Sequence, residues 1–203
     1  MAQDRYAKLE ALVRTALRQF FAEKLSAGKQ RALVLPAFEV PRGGAVDVFL
    51  APKAGTVIAV IQRSDYVAAY KHSVGQMIGV LAHYHQLGDR EVRETLRAML
   101  ARPDVEELKQ AIDPLKVSKR MVEDAKAGAI TLALVTELPE VPQQARELEA
   151  AFQPIALLLE TWLPTPIKKR KLCDAVEFYA VDPNADPPTV KELGAALAPM
   201  LKL

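Results

Sequence analysis

The sequence predicts a mixed α/β layer protein, and three observations carry that expectation. Apolar residues recur at three-and-four spacing over Tyr6–Leu25 and again over Tyr66–Gln86, the signature of helices with one buried face. Between those segments lie three short runs rich in β-branched residues, separated by glycine turns. Two later β-rich runs, Ala129–Val135 and Ala175–Val181, alternate with helical stretches, which suits a sheet covered by helices.

Taken in order, the first helix presents Leu9, Leu12, Val13, Ala16, Leu17, Phe20 and Phe21 and ends at Ser26-Ala27-Gly28. Ala32–Val40 is extended, and Pro36 inside it implies an edge strand or a bulge, because proline cannot donate to a ladder. Arg42-Gly43-Gly44 turns the chain into Ala45–Leu50, and Ala51–Gly55 turns it again into Thr56–Ile61, giving a meander. The second helix closes at Gly88-Asp89, which also starts the next. From Asp89 to Lys126 the pattern is helical, cut by Pro103 and Pro114 into three pieces, and 89–127 reads as a helical insertion in a single domain spanning 1–203. A helix over Pro142–Trp162 with a kink at Pro154, and a last helix over Pro188–Leu201, complete the reading. No internal repeat or low-complexity linker interrupts it.

Composition narrows the function classes. Half of the 203 residues are hydrophobic and 26% are charged, enough apolar content for one sizeable core and too much for a disordered segment. A net charge of +2 argues against a protein that coats nucleic acid over its whole surface, while leaving room for a local basic patch. The single cysteine, Cys173, excludes an internal disulfide, and with His72, His83 and His85 it is too little for a structural zinc site of the usual kind. No apolar signal core follows Met1, and no apolar stretch approaches the ~20 residues of a membrane span, so the expected compartment is the cytoplasm. One asparagine, one cysteine and little serine, beside abundant Ala, Leu, Pro, Arg and Glu, lean toward a bacterial and thermophilic composition.

The order of elements, with Gly44-Ala45-Val46-Asp47-Val48-Phe49-Leu50 followed by Val57-Ile58-Ala59-Val60-Ile61-Gln62-Arg63, resembles the PD-(D/E)XK nuclease-like superfamily. The segment Lys71–Val80 extends the resemblance, and coverage is roughly Arg14 to Gln86 plus Ala129–Val135. The resemblance implies a restriction-endonuclease-like mixed sheet flanked by helices. It also implies an aspartate on the second strand, an acid-x-Lys pair on the third, and a glutamine on the following helix, which together hold a divalent metal that activates water. Asp47 matches the first acid, its plainer reading being a solvent-facing or turn-capping aspartate, and Gln76 matches the glutamine. The third strand departs from the pattern: Ala59-Val60-Ile61 stands where the acid-x-Lys pair belongs, and a methyl group cannot ligate a metal. Gln62 is a neutral substitute in a site that needs anionic oxygen. Lys71 and Glu23 are the residues that could replace the lost lysine and acid.

Other constellations are weaker. His83 and His85 lie two apart on a helix, about 200° round, and cannot share a metal. Cys173 follows Lys168, Lys169, Arg170 and Lys171, which would lower a thiol pKa, but no histidine is near it in sequence and a buried thiol is the simpler reading. The same basic run is a candidate backbone-contacting patch for nucleic acid, or a solvated loop before a strand. Three functions therefore stand open. The first is a catalytically inactive nuclease-fold protein that binds nucleic acid or a protein. The second is an active nuclease using Glu23, Asp47 and Lys71 with magnesium or manganese. The third is an interaction protein, conceivably a homodimer, that presents Leu193, Ala196, Leu197, Met200 and Leu201 from its last helix. No resident cofactor is expected under the first and third.

Overall fold

The computed structural model describes residues 2–41, 43–53, 55–62, 76, 79–137 and 175–196. Helix α1 (Ala2–Lys24) leads into strands β1 (Leu33–Val40), β2 (Gly44–Ala51) and β3 (Gly55–Gln62). Residue 76 and residues 79–86 are helical (α2), followed by α3 (Asp89–Leu100), a 3-10 helix (Pro103–Leu108) and α4 (Pro114–Ala127). Strands β4 (Ile130–Thr136), β5 (Ala175–Asp182) and β6 (Thr189–Ala196) follow. The expected helix over 142–162 and the basic run Lys168–Lys171 lie outside the described residues, as does Cys173.

The six strands form one mixed sheet in sequence order. β1, β2 and β3 make an antiparallel meander, β4 and β5 add parallel to β3, and β6 returns antiparallel on β5. Side chains alternate across a strand, and here the alternation sorts two cores. Phe49, Val57, Ala59, Ala133, Val135, Tyr179 and Val181 face Val13, Leu17 and Phe21 of α1. On the opposite face Val46, Val48, Leu50, Ile58, Leu132 and Leu134 meet Val80, Leu81 and Tyr84 of α2, Val92 and Leu96 of α3, and Met121 and Ala125 of α4. The segment expected as an insertion thus covers the sheet. Central β4, buried along its whole length, reads as the unbroken apolar run Ile130–Val135 because it has a helical layer on both sides.

Local chemistry explains the boundaries. Pro103 and Pro114 each open a helical piece, where the missing N–H costs nothing. Asp113 caps α4 by accepting from the Leu115 amide at 3.0 Å, and Gly128, at φ 66, ends it in the left-handed conformation. Gly55 begins β3 at φ 71, where a side-chain carbon would stand 2.3 Å from the Ala129 carbonyl oxygen. That contact forces glycine at the point where β3 meets β4. On α1 the aromatic rings anchor the helix: Phe21 lies 5.0 Å from Phe49 and 4.8 Å from Tyr179, ring centre to ring centre. Leu12, which the spacing placed on the buried face, is 56% exposed.

The expected last helix over Pro188–Leu201 is corrected by β6. Val190, Leu193 and Ala196 have helical spacing, but the chain at 189–196 serves both faces of the sheet. Val190 packs with the α1-side cluster and Leu193 with the opposite one. A helix offers one buried face; a strand offers two. Leu193 is also the extra residue of a bulge, since Tyr179 pairs with Glu192 and Phe178 with Gly194. It is partly buried instead of being displayed for a partner. Among the described residues no helix is long and apolar enough to cross a membrane.

Candidate functional site

Asp47 is the buried acid of the sheet, 2% exposed, on the face that α1 covers. Its position follows from β1. Leu35 pairs with Val48 and Phe38 with Val46, so two residues, Pro36 and Ala37, stand opposite Asp47 alone. This is the bulge that Pro36 implied, and it places Ala37 at φ 45. The Ala37 amide, freed from the ladder, donates to Asp47 Oδ1 at 2.7 Å.

The other partner comes from α1. Arg18 Nε donates to Asp47 Oδ2 at 3.0 Å and its Nη2 to Oδ1 at 3.1 Å, a two-pronged fork on the carboxylate. Arg18 remains 31% exposed, so its outer edge reaches solvent while the aspartate does not. Arg102, at the start of the 3-10 helix, closes the bulge from the other side by donating to the Pro36 and Ala37 carbonyls at 3.3 and 3.1 Å. Asp104 holds Arg102 in turn at 2.7 Å. The hydrogen bond between them raises the arginine pKa and lowers that of the aspartate. Across β3, the residue in register with Asp47 is Ala59. It is buried, with only a methyl group to present.

The remaining sequence candidates do not join Asp47. Glu23 is exposed on α1, accepting from Gln19 at 3.0 Å. Gln62 pairs with Thr136 at the far end of β3, about 10 Å along the strand from Ala59. Gln76 is exposed, with its amide nitrogen beside Gly44 at the β1–β2 turn, and its helix belongs to the layer on the other side of the sheet. Lys71 lies outside the described residues. Among the described residues no three of His, Cys, Asp and Glu gather so as to hold a metal. The donors therefore do not fit magnesium or manganese: the one buried carboxylate is engaged by a guanidinium, and the strand beside it supplies no oxygen. Asp47 is neither the solvent-facing nor the turn-capping aspartate of its plainer reading.

Sequence reasoning missed Arg18, and it missed two further polar clusters. At the end of α1, Lys24 donates to Tyr179 Oη at 2.6 Å and to Glu192 at 2.7 Å, with Glu177 at 3.5 Å. The Tyr179 hydroxyl donates to Glu177. Burial first, and then the carboxylate it serves, push the Tyr179 pKa up. This group ties α1 to β5 and β6 with its charges matched. The second cluster, Thr56, Tyr84 and Asp124, lies at the opposite face and is taken up below. No protein-family model matches the sequence, and no curated protein or solved structure matches it either.

Proposed function

We propose that this chain is a catalytically inactive protein of the restriction-endonuclease-like fold that works by binding nucleic acid or a protein partner. The observation that carries the reading is the state of Asp47: buried, forked by Arg18, and in register with Ala59. A hard divalent cation needs several oxygen ligands, at least some of them anionic. Here the positive charge beside the acid is built into the chain, and a cation would have to displace a bidentate ion pair to reach a single carboxylate. Support for the fold assignment comes from the meander β1–β3 after α1, the parallel β4 reached through helices, and the acid on β2. The positions of Glu23 and Asp47, one exposed and one enclosed, favour binding over cleavage.

In this reading Lys168, Lys169, Arg170 and Lys171 contact phosphates, and affinity falls steeply with salt as counterions are released. Gel-shift titration of the whole chain against single- and double-stranded DNA and RNA tests it. A shift that weakens between 50 and 200 mM salt and is lost when the four basic residues are replaced by alanine supports nucleic-acid binding. Indifference to all four ligands assigns the protein partner instead. Magnesium-dependent cleavage abolished by Asp47→Ala would refute the inactive reading altogether.

A further inference from the structure

The cluster around Thr56 stands apart from the Asp47 site, on the opposite side of the sheet. Thr56, the second residue of β3, is fully buried, and its hydroxyl donates to Asp124 Oδ2 of α4 at 2.7 Å. Tyr84 of α2 is buried beside it, and its hydroxyl has no hydrogen-bond partner, although the Thr56 hydroxyl lies next to it. Asp124 is half-buried, and its cationic neighbour is poorly placed. Arg120 Nε stands 3.7 Å away while Nη2 of the same guanidinium donates to the Ala51 carbonyl. Glu123, next along α4, adds negative charge. Three helices and strands thus meet at one carboxylate with a single close donor and one orphaned hydroxyl.

We infer that Asp124, Thr56 and Tyr84 form a protonation-sensitive joint between α4, β3 and α2, tighter when the Asp124 carboxyl is neutral. The reason is the hydrogen inventory. Thr56 has one hydroxyl hydrogen. With Asp124 ionised, that hydrogen is committed to the carboxylate and Tyr84 Oη receives nothing. With Asp124 protonated, the carboxyl donates to Thr56 Oγ1, and the threonine hydrogen is released to Tyr84 Oη. Protonation reverses the chain of donors, satisfies the orphan and removes a partly desolvated charge. Burial accordingly raises the Asp124 pKa, against the opposing pull of Thr56 and Arg120.

The sign follows from linkage. When the folded pKa lies above the unfolded one, the contribution to stability is complete below the unfolded value and disappears as pH rises through the folded value. Thermal unfolding of the full chain between pH 4 and pH 8 therefore separates the outcomes. Asp124→Asn, neutral at every pH, is expected to melt on the order of 2–4 °C above the native chain at pH 8. That advantage should shrink as the pH falls and the native carboxyl is protonated. Tyr84→Phe, which removes the orphan, is expected to weaken the pH dependence attributable to Asp124. An Asn variant that is less stable at pH 8, or whose difference from the native chain does not vary with pH, overturns the joint. Carboxyl-carbon NMR on the native chain gives the same answer without a variant. A midpoint above the ordinary ~3.9 of aspartate is expected, and one at or below it overturns the inference.

Discussion

The Arg18–Asp47 pair shows how much a single side chain can decide. A buried carboxylate without a counter-charge is expensive, and breaking a buried pair by removing one partner costs about 3–5 kcal/mol. Because Arg18 is partly exposed, water would replace some of what it supplies. Arg18→Met is therefore expected to lose roughly 2–3 kcal/mol in urea unfolding, below the fully buried range. Adding Asp47→Asn should recover part of that loss, since a neutral amide needs no counter-charge and keeps an oxygen for the Ala37 amide. A second substitution that adds its full cost to the first would show that the two residues do not act as a pair. Ala37 offers the opposite kind of test. Its φ of 45 costs an alanine roughly 1–2 kcal/mol and a glycine almost nothing, though glycine loses about 0.5–1 kcal/mol to chain entropy. Ala37→Gly should raise stability by about 0.5–1 kcal/mol in the same assay. A loss would mean that the left-handed turn is not strained.

Among the elements, those that the sequence made legible are the ones whose local signals agree with their tertiary setting. Pro36 forecast a bulge at an edge strand, and the bulge falls at Pro36–Ala37. Proline marked the openings of the 3-10 helix and α4, and the β-branched run at 56–61 marked β3. β6 was not legible, because its apolar spacing is helical and only its pairing with β5 makes it a strand. Tertiary context overrides propensity most readily in such short segments. Hydrogen exchange discriminates directly. As the outer described strand, β6 should show protection on alternate amides, those aimed at β5, with the pattern broken at the Leu193 bulge. Uniform protection from 190 onward would indicate the helix instead. The site was legible in part for a related reason. Asp47 stood out as an acid in a β run, whereas its partner lies 29 positions earlier on a helix. There an arginine among apolar residues reads as the edge of a solvated face. Nothing in the local pattern reveals a contact over that separation.

For the whole molecule, two helical layers enclose a six-stranded sheet, and each layer carries a buried polar cluster that locks it to the strands. On the α1 side the lock is ionic and complete. On the α2–α4 side it includes an unsatisfied hydroxyl and a half-buried acid. The functional account rests on the first of these, since an acid already bound to a guanidinium and faced by a methyl group cannot assemble a metal centre. Titration of the full chain with manganese, followed by the electron paramagnetic resonance of the free ion, measures this most directly. Signal that rises in proportion to added metal, equally in the native chain and in Asp47→Asn, is the expected result. A stoichiometric loss of signal in the native chain that Asp47→Asn abolishes would contradict it.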